Sequence, residues 1–285
     1  VLRRLHAQPA VPWLHAEVAR RMAERLPIVR LQPQTVLAWG LLVGGGAEDL
    51  RRAYPKARCL AVEAVAAAPA PVRRAMPWPM AALASLGGRS PRVQTLQPDA
   101  VPEAAGELLW SNMGLQAVAS PLALFRQWQR ALAVDGFLMF STLGPGSLQG
   151  LRDAYQACGW PTPHAPFVDM HDLGDMLVAA GFADPVMDQE TITLTWASPA
   201  AALAELRSLG GNVATGRFPG LRTPRWRERL QAALQQHAAT ADGRIALSFE
   251  VVYGHAFRPL PRARLAAETG VALGDMRQML RRRRT

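Results

Sequence analysis

At 285 residues and 49% hydrophobic, the chain can bury a full core, as one large domain or one and a half. No window of about 18 residues is apolar without a charge or proline, which excludes a transmembrane helix. The net charge of +10 raises nucleic acid as a partner, but all 32 basic residues except Lys56 are arginine, scattered over the chain apart from Arg281–Arg284, and aromatics are not interleaved with them as base stacking needs.

The N-terminal VLRRLHAQPA lacks the continuous apolar run of a signal peptide. Cys59 and Cys158 lie in apolar contexts with no C-x-x-C, so a reduced, cytoplasmic protein is expected. Residues 12–26 read as a helix, with Leu14, Val18, Met22 and Leu26 at helical spacing and Pro27 as its stop. Its place before the first strand puts it across the top or edge of a sheet.

The organising stretch is 35–63. Thr35–Trp39 is a short apolar strand, followed by a turn holding Gly40, Gly44, Gly45 and Gly46, a helix from Ala47 to Ala53, and a second strand, Cys59–Val62, ending in Glu63. This reads as the first half of a nucleotide-binding βαβ unit, the alternative being a glycine turn that joins strand to helix and binds nothing. Glycines let the backbone turn sharply and approach a ligand, and an acid at the second strand's tip can accept both ribose hydroxyls. The spacing is neither G-x-G-x-x-G nor a P-loop.

Residues 64–86 read as a loop with a poor helix, and Arg92–Leu96 as a third strand. Glu107–Trp110 is the fourth, and the polar residues that follow it, Ser111, Asn112 and Gln116, would stand at a parallel strand's carboxyl end, where such sheets bind ligands. Ser120-Pro121 caps a helix to about Ala133, Asp135-Gly136 turns the chain into strand Phe137–Thr142, and Ser147 caps a helix to about Cys158. A helix over 169–180 stops at Gly181. Residues 186–196 and 244–257 alternate as a half-buried antiparallel pair. Between them Ser198-Pro199 and Thr223-Pro224 each start a helix, the first ending at Gly210-Gly211. The whole is an α/β, doubly wound sheet of seven strands.

Several strings carry a resemblance: LLWSNMGLQ at 108–116, DGFLMFSTLGPGSL at 135–148, MHDLGDMLVAAGF at 170–182, ITLTW at 192–196 and AALAELRSLGGNVATGR at 201–217. The chain resembles class I S-adenosylmethionine-dependent methyltransferases, and within them the malonyl-[acyl-carrier protein] O-methyltransferases of biotin synthesis. The resemblance implies a Rossmann-like core over 35–197 after an N-terminal helical segment, 1–34. A helical lid at 198–240, a final core strand at 241–260 and a basic tail at 261–285 complete it. It also implies S-adenosylmethionine as cofactor, adenosylhomocysteine as product, and a malonyl thioester on an acidic acyl carrier protein as substrate. Glu63 would hold the ribose, Gly40 and Gly44 would admit the methionine part, and Asn112 would line the cofactor side with Gln116 behind it. Arg217 is the candidate for the acceptor carboxylate, because a guanidinium matches carboxylate geometry.

The family's acid at the end of strand one has no counterpart: Ala38 or Trp39 takes its place, and Asp99 is the nearest acid after strand three. That departure leaves an alternative, a methyltransferase-like scaffold whose crevice is filled by Leu42 or Trp39. No catalytic base is expected, since a carboxylate nucleophile is already ionised at neutral pH. The six histidines show no metal-ligand spacing, and most read as surface or cap residues.

Overall fold

The computed structural model describes residues 10–64, 93–210 and 212–260. The poor helix and loop read beyond Ala64, the start of the third strand at Arg92, and the basic tail fall outside them. Seven strands form one sheet: β1 (Thr35–Trp39), β2 (Arg58–Val62), β3 (Val93–Leu96), β4 (Gly106–Ser111), β5 (Leu132–Leu143), β6 (Ala183–Trp196) and β7 (Ile245–Phe257), in the order β3-β2-β1-β4-β5-β7-β6. The strands β1 to β5 pair in parallel, while β7 runs antiparallel to both β5 and β6. Strand order reverses between β1 and β4, so a crevice opens beyond their carboxyl ends.

The strands are buried on both faces because their apolar residues alternate between two cores. Val36, Ala38, Leu108, Trp110, Phe137 and Met139 face one side; Leu37, Trp39, Leu109, Leu138 and Phe140 face the other. On the second side Phe125 and Trp128 pack on Phe140 with ring centroids 5.4 and 6.2 Å away. Each such side chain, fully buried, contributes on the order of 1.5–3 kcal/mol.

Eight helices are described: α1 (Trp13–Ala23), α2 (Leu41–Gly44), α3 (Ala47–Ala53), α4 (Pro121–Ala131), α5 (Gln149–Ala157), α6 (Met170–Ala179), α7 (Pro199–Ser208) and α8 (Pro224–His237). The side chains of Asp169, Ser198 and Thr223 accept the N–H of His171, Ala201 and Trp226, capping α6, α7 and α8. Ser120 precedes α4 without a side-chain cap. Ser147 is not a cap either: its hydroxyl donates to the Glu250 carbonyl at 3.1 Å and accepts that residue's N–H at 3.0 Å, stitching the start of α5 to β7. The first helix stops at Ala23, ahead of Pro27, which sits inside a 3₁₀ turn, Leu26–Ile28. Asp135-Gly136 does not separate helix from strand. Asp135 takes a left-handed φ of 63° inside β5, where the register with β4 shifts, and the strand continues on both sides.

Helix α1 lies against α2, α3 and β5, across the carboxyl side of the sheet. A half-buried polar network ties it to the sheet edge. Arg21 pairs with Glu17 and with Glu190 of β6, the Tyr253 hydroxyl donates to Glu190 at 2.6 Å, and Arg25 lies 4.0 Å over the Tyr253 ring while pairing with Asp188 at 2.8 Å.

Candidate functional site

A cavity of about 360 Å³ opens beyond the carboxyl ends of β1, β2, β4 and β5 and runs on beneath the helical insertion. Its first part is built by residues that follow each strand. After Trp39 the chain reverses at Gly40, whose φ of 71° is one that side chains rarely tolerate; its N–H donates to Val62 O at 2.8 Å. A Cβ there would meet no atom within 4 Å, so the glycine leaves open space on the cavity wall.

Glu63 directly follows β2 and is 1% exposed. Its Oε1 accepts the Leu42 N–H at 2.9 Å, which fixes the carboxylate against the glycine turn. Asn112 follows β4. Its Nδ2 donates to His15 O at 2.8 Å and to Gly44 O at 2.5 Å, and its Oδ1 accepts the Ser141 hydroxyl at 2.6 Å. Asn112 therefore pins α1, the glycine turn and β5 to one point. Gln116 donates through Nε2 to Met113 O at 2.8 Å, behind the left-handed Met113 (φ 49°).

Gly40, Glu63, Asn112 and Gln116 share this one cavity. Gly44 and Arg217 do not border it. Gly44 is small for a packing reason, since a Cβ would collide with the Asn112 carbonyl. Arg217 is exposed, with Nη1 donating to Asn212 O at 3.0 Å. Trp39 lines the wall and packs edge-on against Trp128, 6.0 Å between centroids, and Leu42 is not among the lining residues, so neither closes the crevice. Asp99 is exposed on a 3₁₀ turn whose Pro98 carbonyl accepts Gln127 Nε2 at 2.7 Å.

The second part of the wall is apolar: Leu148 and Leu151 at α5, Leu206 and Leu209 of the insertion, Phe249 of β7, and the loop Pro163–Phe167. Two of the histidines, His15 and His164, border the cavity and stand apart from the surface or cap positions read for most. His15, on the inner face of α1, is 1% exposed; Nδ1 donates to Val43 O at 3.0 Å, and burial lowers its pKa against the partial offset of that bond. His164 donates through Nδ1 to Ala165 O at 2.7 Å and stacks on Phe167, 4.5 Å between centroids at 12°. Its pKa is lowered chiefly by burial, with Arg152 adding to the effect and the Ala165 bond opposing it. The one sequence signal for His15 was its position beside Leu14 and three before Val18, on the buried stripe; nothing marked His164.

No protein-family model matches the chain. Curated relatives do. A malonyl-[acyl-carrier protein] O-methyltransferase of Laribacter hongkongensis is 40% identical over 262 residues, covering 90% of this chain and 86% of the relative. One of the same name from Halorhodospira halophila is 38% identical over 277 residues, covering 96% and 91%. The chain belongs to that family. Its members are methyltransferases by name. Among solved structures, YcgJ of Bacillus subtilis aligns with a TM-score of 0.54 at 12% identity over 84% of this chain and 98% of its own. A putative methyltransferase from Bacillus halodurans aligns with a TM-score of 0.54 at 14% identity over 84% and 99%. At such identities these two establish the Rossmann-like fold and nothing finer.

Proposed function

We propose that the chain methylates the free carboxylate of a malonyl thioester carried on an acyl carrier protein, with S-adenosylmethionine as donor, as in the biotin-synthesis family it resembles. The observation that carries this is the continuity of one cavity, from the buried Glu63 and the open Gly40 turn to the apolar chamber under the insertion. The residues present fit an adenosyl group. Glu63 supplies a buried carboxylate for the ribose hydroxyls, Gly40 leaves room that a Cβ would take, and Trp39, Leu124 and Trp128 offer apolar faces for the base.

S-adenosylmethionine, when bound, supplies a methyl group on a sulfonium. The chain's own contribution is positioning and exclusion of water. A carboxylate is ionised at neutral pH and requires no base, so holding it in line inside an apolar chamber is the main device. The insertion, α7 and α8, would act as the lid; Asn112 and Gln116 would keep the floor in place. The net charge of +10 favours an acidic carrier protein through long-range attraction. Cys59 and Cys158 are free thiols, which suits a reducing cytoplasm.

Calorimetric titration with adenosylhomocysteine, together with labelled methyl transfer to malonyl carrier protein, tests the proposal. The wild-type chain should do both, and Glu63→Gln should bind adenosylhomocysteine about tenfold or more weakly, the worth of a hydrogen bond to a charged acceptor. Neither binding nor transfer at high cofactor concentration would overturn it.

A further inference from the structure

The carboxylate that enters this cavity meets an unusual wall. Among the described residues that line it there is no arginine or lysine, and the titratable side chains are His15, Glu63 and His164. His15 and Glu63 both bond to the glycine turn, at Val43 O and Leu42 N–H, and so belong to the nucleotide crevice. His164 stands apart from them, on the loop between α5 and α6 that helps enclose the apolar chamber.

The geometry of His164 fixes its chemistry. The Ala165 carbonyl can only accept, so Nδ1 carries the hydrogen and the neutral ring presents a lone pair at Nε2. That Nε2 is buried and has no partner among the described residues, a condition it shares with the His15 Nε2 in the nucleotide crevice. A buried acceptor without a donor calls for an explanation; a carboxylate brings no donor, so Nε2 can pair with one only by being protonated as the anion enters.

We propose that His164 recognises the acceptor's carboxylate, Nε2 taking a proton from solvent as the carboxylate enters and holding it in a charge-assisted hydrogen bond. The inference rests on the carboxyl-methyltransferase reading and deepens it. The charge that bears on His164 is Arg152 of α5, whose guanidinium is engaged by the carbonyls of Pro145 and Ser147 and by Gln149; the facing groups are the Phe167 ring and apolar wall residues. Without an anion, burial and Arg152 keep the ring neutral; with one, the balance reverses. The methyl ester that results is uncharged. The imidazolium then loses its counter-ion and returns its proton to solvent, which loosens the product but not the substrate. A fixed guanidinium would give no such distinction.

The experiment measures binding of malonyl carrier protein to the enzyme saturated with adenosylhomocysteine, by calorimetry in phosphate and in Tris, buffers of different ionisation enthalpy. Near pH 7.5, roughly one proton should be taken up per malonyl group bound, and none with acetyl carrier protein, which lacks the distal carboxylate. The apparent Kd for malonyl carrier protein should rise with pH, approaching about tenfold per unit while the free ring is neutral. His164→Gln should abolish the uptake and flatten the profile, weaken malonyl binding about tenfold to a hundredfold, and leave adenosylhomocysteine affinity within about twofold. Malonyl binding by the wild type without proton uptake would overturn the proposal, with no variant needed. Uptake that persists in His164→Gln, or loss of adenosylhomocysteine affinity in step with malonyl affinity, would overturn it as well. Failure of the wild type to bind adenosylhomocysteine at all would instead sink the methyltransferase reading, and this inference with it.

Discussion

Asn112 commits both of its N–H donors to backbone carbonyls, His15 O and Gly44 O, and its oxygen to Ser141. Its contribution to the site is therefore to hold three chain segments at one point, not to reach for a ligand. Asn112→Ala takes the side-chain donor from the Gly44 carbonyl and a second donor from the His15 carbonyl, which the helix also engages, at a cost of about 1–3 kcal/mol. The melting temperature should fall by roughly 2–12 °C, and adenosylhomocysteine affinity should fall with it because the turn at Gly40 is no longer braced. His15 gives a pH signature. Burial lowers its pKa below the ordinary 6.5, so below that pH the unfolded chain takes up a proton that the folded chain refuses. Stability is thus lost as pH falls from about 6.5 and is unaffected by this group above it. His164 and His255 are shifted in the same direction by burial, so His15→Gln should make the melting temperature less steep between pH 7 and 5 without making it flat.

At the scale of elements, α1 is the piece that closes the crevice, and its anchors are polar. Arg21 and Glu190 are about a third exposed, 30% and 28%, and pairs of that kind contribute no more than about 1 kcal/mol each. Their effect is placement: Glu190 also accepts the Tyr253 hydroxyl, so one carboxylate joins α1, β6 and β7. Glu190→Gln should lower the melting temperature by only about 2–4 °C, yet speed amide exchange along α1 and weaken adenosylhomocysteine several-fold, since His15 rides on that helix. Much at this scale could be seen beforehand. Glu63 and Gly40 end strands that their own neighbours define, and Asp169, Ser198 and Thr223 cap as their spacing suggests. Ser120 and Ser147 look the same in sequence but do not cap, and for Ser147 the competing partner is β7, more than 100 residues away. The chamber was hidden for the same reason. His164, Leu206 and Phe249 meet only because the loop after α5, the insertion and β7 come together in space. Arg217 fitted a carboxylate by residue type, but its loop carries it to the surface.

For the molecule as a whole, the site is shared by both halves of the sheet, so occupancy should stabilise all of it. Adenosylhomocysteine at a hundred times its dissociation constant adds about 2.7 kcal/mol. For a chain of this size that is an upward shift in melting of roughly 5–11 °C, readable in a thermal melt. Adenosine at the same concentration should shift the melt nearly as far if Glu63 and the aromatic wall dominate, and much less if the methionine part carries the affinity.

The position of β7 has a consequence for how the chain is made. It lies between β5 and β6, yet it emerges from the ribosome after both, and among the described residues β6 bonds to no other strand. Until Ile245–Phe257 has been synthesised, the nascent chain displays two open edges, with fourteen residues of β6 still unpaired. Asp184, Asp188 and Glu190 on that strand discourage a neighbouring polypeptide from docking there in the interval. Translation that halts before residue 245 yields a product whose sheet cannot close, however complete its nucleotide crevice.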